Sequence, residues 1–258
     1  MSPQINRHVS APPTSPPFTS HDIGTTEAHW DCYLDALPPL FPPTLTITTL
    51  SSPRAVVVAP HPDDEVLGAG ATMFDLCRAG WDVRVVVVSD GDNSHPGAEG
   101  LGHQRQLESS QAAAWLGVTH PVQFLGFPDG NLPGHRQEIS AQLLDILDGS
   151  ALVIGPWRND GHPDHAATAM ALEHACASAF LASEARVWQY AIWAWHWARP
   201  SDFALERTGA VNVSQAAQHA KQQAIEMFQS QITDHFGATI LPPPVLSHFR
   251  RSREVFWC

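Results

Sequence analysis

The chain has 258 residues, 43% of them hydrophobic, and a formal net charge of −12. That length and apolar content support a substantial packed core and exclude a disordered chain. The acidic balance excludes a nucleic-acid backbone as partner, since phosphate contacts need lysine and arginine in number.

Residues 1–22 combine Pro, Ser and Thr with little apolar surface, and are expected to form an extended or disordered arm. The first helix is predicted over 25–40, with Thr26 as cap and Trp30, Leu34 and Leu37 on one face. "TLTITTL" (44–50) has the composition of an edge strand. A regular alternation follows. Strand-like runs lie at 54–60, 82–91, 122–127 and 151–156, and helix-like runs at 65–80, 104–117, 137–149 and 164–182. Further strands are predicted at 186–195 and 209–214, and a long helix at 215–232. Val-rich strands alternating with helices imply an α/β fold: a Rossmann-like, three-layer arrangement with a mostly parallel sheet and helices on both faces. There is no repeat at solenoid period and no linker after residue 45, so residues 23–258 are expected to form one catalytic domain. Cys32, Cys77, Cys176 and Cys258 include no C-x-x-C pair and are expected to be reduced thiols of a cytoplasmic protein. No apolar run reaches the ~18 residues of a membrane span, and the N-terminus lacks a signal peptide's apolar core.

Two of the strand ends carry chemistry. "VVVAPHPDDE" (56–65) runs from a buried strand into a histidine and three acids, and "VIGPWRNDGHPDH" (153–165) ends a later strand in the same way. In a parallel sheet both motifs fall on the rim at the carboxyl ends of the strands. Pro62 and Pro163 hold the preceding histidines extended. His61, Asp64 and His165 supply two imidazoles and a carboxylate, a three-ligand metal site that leaves positions open for water and substrate. Asp63 is then free to take a proton from a bound water, and His162 to stabilise an oxyanion or protonate a leaving amine. A single such motif is compatible with a surface histidine and an acidic helix cap. Two at the tips of strands in one sheet argue for function.

"GAGATM" (68–73) partly matches a dinucleotide fingerprint, but Met73 breaks it and Asp63, Asp64 and Glu65 occupy the turn where a pyrophosphate would dock. Gly68 and Gly70 are better explained as close-packing positions of helix on sheet.

The paired "HPDDE" and "HPDH" motifs resemble those of the PIG-L/LmbE-like deacetylases of N-acetylglucosaminides. "GHQRQLESSQAAAWLG", "FLGFPDG" and "AKQQAIEMFQSQ" are similar to further segments of that family, so the resemblance covers roughly residues 54–232. It implies a Rossmann-like fold and zinc-dependent removal of an N-acetyl group from an amino sugar, with His61, Asp64 and His165 on zinc, Asp63 as general base and His162 as electrophile or acid. It further implies that Asp164 orients His162, and that Arg105 and Asp129 contact the sugar. Where some members carry a tyrosine near the oxyanion, this chain has Asp160. Iron(II) is the alternative metal. The expected partner is a small N-acylated sugar or glycoconjugate, with neither nucleic acid nor a membrane span, and a homo-oligomer is compatible with the sequence. Trp193, Trp195 and Trp197 share one face if their segment is a strand, either packed in the core or stacked on substrate. Two other classes stay open: an iron(II) enzyme using the same two histidines and carboxylate, and a non-catalytic metal- or nucleotide-binding domain.

Overall fold

The structure, a computed structural model, describes residues 20–42, 52–95, 97–179, 181–182, 185–203 and 205–258. Most of the expected N-terminal arm and the expected edge strand at 44–50 therefore lie outside the described residues. The elements run in chain order α1 (Glu27–Ala36), β1 (Arg54–Ala59), α2 (Asp64–Arg78), β2 (Asp82–Ser89), α3 (Leu101–Trp115), β3 (Gln123–Phe127), α4 (Arg136–Leu147), β4 (Leu152–Pro156) and α5 (Pro163–Ser178). They continue with β5 (Arg186–Tyr190), α6 (Ala194–Trp197), β6 (Thr208–Asn212), α7 (Gln215–Ile225), α8 (Gln229–Ile232), α9 (Pro243–Ser247) and β7 (Arg253–Trp257).

The strands form one sheet in the order β3-β2-β1-β4-β5-β7-β6. β1 to β5 pair in parallel, and β7 runs antiparallel between β5 and β6. Pleating sends Val57, Val85 and Val87 into a core shared with α2, α3 and α7, while Val56, Val58, Val86 and Val88 pack with residues of α4 and α5. Burial on both faces is why these strands are valine-rich rather than alternating. Each such valine contributes about 1.5–3 kcal/mol relative to an exposed one.

The expected fold class is the observed one. Three segments depart from expectation. The predicted strand at 186–195 stops at Tyr190 and turns into α6, because the Asp160 carboxylate collects the backbone N–H groups of Ile192, Trp193 and Ala194. The long helix predicted at 215–232 breaks into α7 and α8, where Glu108 of α3 accepts both the N–H and the hydroxyl of Ser230. β7 was not anticipated. Its burial pattern holds a glutamate, Glu254, that pairs with Lys221 of α7 at 2.6 Å.

Gly68 faces the Tyr190 ring, and an added Cβ would lie 2.4 Å from it. The close approach of α2 to the sheet therefore needs glycine there. Gly70 instead packs toward Lys221 of α7, with a Cβ placed 3.3 Å from its side chain.

The strand order steps outward from β1 to β2 and β3 on one side and to β4 and β5 on the other. The chain leaving β1 and the chain leaving β4 therefore diverge at adjacent strands, which opens a crevice at their carboxyl ends. Both histidine motifs lie at that crevice.

Candidate metal centre

β1 delivers the chain to His61, and α2 begins at Asp64, three residues on. Asp63 takes the helix N-cap position with φ 124 and ψ −35, and is the one non-glycine residue with positive φ among the described residues. Such backbone strain costs on the order of 1–3 kcal/mol and persists only where neighbours hold it. Here the Asp63 N–H donates to Glu65 Oε2 at 3.0 Å, and Ser109 donates to Glu65 Oε1 at 2.6 Å. Arg105, one turn before Ser109 on α3, donates to Pro62 O at 2.6 Å and to Asp63 Oδ2 at 3.0 Å. One face of α3 thus braces the strained residue.

His61 Nδ1 and His165 Nε2 each lie 3.3 Å from Asp64 Oδ2, and one donor atom from each of the three residues falls within 4.8 Å of the others. All three are buried. The second nitrogen of each ring faces carboxylate. His61 Nε2 lies 3.1 Å from Asp129 Oδ1 and 3.2 Å from Asp164 Oδ2, and His165 Nδ1 lies 2.7 Å from Asp160 Oδ2. Carboxylates at those positions hold the ring protons there, so His61 Nδ1 and His165 Nε2, on the side of Asp64, are the nitrogens a cation would take. Both His165 nitrogens are buried and neither makes a hydrogen bond of regular geometry, although Nδ1 lies close to Asp160 Oδ2. Two convergent imidazole nitrogens and one carboxylate oxygen fit a divalent cation. His61 also belongs to a second compact group with His162 and Asp164.

Several expected roles change with this geometry. The Asp164 carboxylate does not hold His162. It accepts from Gly130 N at 2.8 Å and Leu132 N at 3.1 Å and faces His61. His162 is oriented instead by the main chain, its Nδ1 accepting the Asp164 N–H at 3.2 Å, because it caps α5. Arg105 borders the cavity, but it is buried and its guanidinium is taken up by Asp63, Pro62 O and Gly91 O. Asp129 also borders the cavity and is held between His61 and the Asn93 N–H. Sequence reasoning gave no role to Glu65 or Ser109. It considered Asp160 only as the residue standing where some members carry a tyrosine, yet Asp160 is fully buried behind His165. The only signal for it was an acid two residues before the second motif, which does not tell which way the side chain turns.

The electrostatics follow burial and neighbours. Burial works to raise the Asp64 carboxyl, but His165 and His61 beside it outweigh this and hold it well below the carboxylate range. Burial pushes Asp63 up to about 8 against the pull of Arg105, and Glu65 up to about 7. His165 is raised to about 9, since Asp64 and Asp160 overcome its burial. His162 is depressed to about 3 by burial and by the neighbouring His165 and His61, which keeps it neutral with its proton on Nε2.

His61, Asp63, Asp64 and His162 line a cavity of about 260 Å³, with His165 and Glu65 buried outside its lining. Its apolar lining is Leu67, Ile192, Trp193, Ile240 and Leu241. Of the three tryptophans expected on one face, only Trp193 lines it. Trp195 packs at 4.9 Å from Trp30 in the core, and Trp197 donates its indole N–H to Asp160 O, because the segment is helical rather than extended. None of the four cysteines is paired. Among the described residues no helix is long and apolar enough to cross a membrane.

Residues 56–176, which carry both motifs, match the family model described as "PIG-L: GlcNAc-PI de-N-acetylase". The chain is 30% identical over 120 residues to a diacetylchitobiose deacetylase of Thermococcus kodakarensis, covering 43% of this chain and 45% of that protein. It is 31% identical over 144 residues to a 1D-myo-inositol 2-acetamido-2-deoxy-alpha-D-glucopyranoside deacetylase of Mycobacterium avium, covering 44% and 48%. The chain thus spans about half the length of these curated relatives. Among solved structures, an N,N'-diacetylchitobiose deacetylase from Pyrococcus horikoshii superposes with a TM-score of 0.57 at 23% identity, over 84% of this chain and 83% of that one, which shows a common fold. The matched segment and its two motifs are thus similar to the PIG-L family model, and the solved deacetylase shares the fold.

Proposed function

We propose that the chain is a metal-dependent N-deacetylase that cleaves the N-acetyl, or another N-acyl, group of an amino-sugar-containing substrate. The observation that carries this reading is the His61–Asp64–His165 donor set, of which His61 and Asp64 line a cavity together with a further carboxylate, Asp63. The relatives named as deacetylases of acetylated amino sugars support the substrate class.

His61, Asp64 and His165 would hold the ion, zinc by preference and iron(II) as the alternative. When bound, such an ion supplies Lewis acidity and lowers the pKa of a water toward ~7. Asp63 accepts the proton of the attacking water, from a position fixed by Arg105 and Glu65. His162, neutral and carrying its proton on Nε2, donates a hydrogen bond to the oxygen on which charge develops at the acyl carbon, and the proton that Asp63 took from the water passes to the leaving amine. The apolar wall of Leu67, Ile192 and Trp193 excludes water and covers the less polar part of the substrate. Acetate and the free amine are the products.

The test is acetate release from a panel of N-acetylated mono- and disaccharides and glycoconjugates, run with metal analysis of the same protein. Release that requires about one divalent ion per chain is expected. A chain that binds the ion but releases no acyl group from any amide would instead favour a non-hydrolytic reaction of the two-histidine, one-carboxylate set.

A further inference from the structure

Asp160 lies behind the donor set rather than in it. We propose that Asp160 is a positioning residue for the metal centre, setting the tautomer of His165 and fixing the apolar wall of the cavity through the same carboxylate. The inference rests on His165 being a metal ligand.

Asp160 is fully buried, as is His165. Its Oδ2 lies 2.7 Å from His165 Nδ1 and accepts from Trp193 N at 3.1 Å. Its Oδ1 accepts from Ile192 N at 2.8 Å and Ala194 N at 3.0 Å. Three backbone donors and one ring nitrogen fill the acceptor sites of a carboxylate. The side chain cannot turn away without leaving three buried N–H groups unpaired, each worth about 1–3 kcal/mol. Because both carboxylate oxygens already accept backbone N–H groups, the ring nitrogen facing Oδ2 is the one that carries the proton. The lone pair is then on Nε2, on the side of Asp64 Oδ2 at 3.3 Å. The three N–H groups belong to the start of α6 and the residues before it, and two of these residues, Ile192 and Trp193, form part of the cavity wall. One carboxylate therefore ties the geometry of a ligand to the placement of the surface facing it.

Asp160→Asn separates this role from simple packing. Asparagine has the same shape and keeps the Oδ1 acceptor for the Ile192 and Ala194 N–H groups, losing only the acceptor for Trp193 N–H, a loss that the thermal midpoint reads separately. Its amide NH2 toward His165 would favour the other tautomer, with a proton on Nε2 where a lone pair is needed. The experiment is zinc affinity by chelator competition on stripped, purified wild type and Asp160→Asn, with the thermal midpoint of each stripped form. A 10–100-fold weaker Kd is expected, with the variant still melting cooperatively. A second measurement needs no variant. The zinc-loaded wild type should show a slowly exchanging, downfield His165 Nδ1–H resonance in NMR, since that proton is buried from solvent and held against Asp160. Equal zinc affinity in both proteins, or absence of that resonance, overturns the inference while leaving the metal site standing. A wild type that takes up no divalent ion overturns the metal reading, and this inference with it.

Discussion

Asp63 and Asp64 are adjacent, both buried and both acidic, yet they are held in opposite ways. Asp64 sits between two imidazoles that keep it ionised, whereas Asp63 is lifted by burial and tempered by one guanidinium. Asp64→Ala is expected to lose metal and activity together. Asp63→Asn should retain metal and fold while turnover falls roughly 10²–10⁴-fold, the usual contribution of a positioned general base, with substrate affinity little changed. Metal content, kcat and KM on both variants check this, and a near-wild-type rate in Asp63→Asn would show that another group is the base. Arg105 gives a second residue-scale test. If it served the sugar, its loss would raise KM. Since it holds Asp63 and Pro62 O, Arg105→Met should lower kcat more than it raises KM. Removing the cation removes the influence that lowers the Asp63 carboxyl, so the acid limb of the kcat profile should move to higher pH. A KM-only effect would return Arg105 to substrate binding.

At the scale of elements, α2 must start at a fixed place, because its first turn carries Asp64. The buried Lys221–Glu254 pair holds it there. Lys221 Nζ donates to Leu67 O at 2.7 Å, while Glu254 accepts the N–H groups of Ala71 at 3.0 Å and Thr72 at 2.8 Å. The pair thus takes up main-chain groups of α2, tying it to α7 and to β7 at the C-terminus. Removing one partner of a buried ion pair strands the other, typically at 3–5 kcal/mol. Glu254→Ala is expected to destabilise by about that amount in denaturant titrations. The double change Lys221→Met with Glu254→Leu should recover only part of the loss, because the Ala71 and Thr72 N–H groups then lack an acceptor. Full recovery would mean that the main-chain bonds contribute nothing.

For the whole molecule, the described N-terminal contacts include Thr25, which donates its N–H to His196 O at 2.7 Å and its hydroxyl to Ala198 O at 2.6 Å. Trp30 is fully buried just beyond it. Deleting residues 1–19 is therefore expected to leave the melting temperature and activity within error of the full chain. Deleting through Ala36 removes Trp30 and the Glu27–Arg251 ion pair and should lower the melting temperature markedly. An equal effect of both deletions would show that residues 1–19 are themselves docked on the fold.

The sequence by itself determined the layers and the chemistry. Valine runs buried on both faces specify parallel strands, and imidazole and carboxylate side chains are donors in any setting, so the fold class and the residues able to bind a metal were legible without coordinates. It did not determine who partners whom across the chain. "HPDDE" and "HPDH" lie about a hundred residues apart and meet only because β1 and β4 are neighbours at the point where the strand order reverses. Nothing local shows that Asp160 turns inward to His165, that Arg105 turns to Asp63, or that Asp164 faces His61 rather than His162, because each contact joins residues from separate elements or loops. The segment at 186–195 has strand composition, yet it ends in a helix because a buried carboxylate from another loop captures its N–H groups. β7 carries a buried glutamate inside the sheet, which is tolerated because in the folded molecule it meets the chain's single lysine. Periodicity and residue type are local properties, whereas direction, partner and burial of a charged side chain are set by the packing of distant elements, and at this site only the tertiary structure decided them.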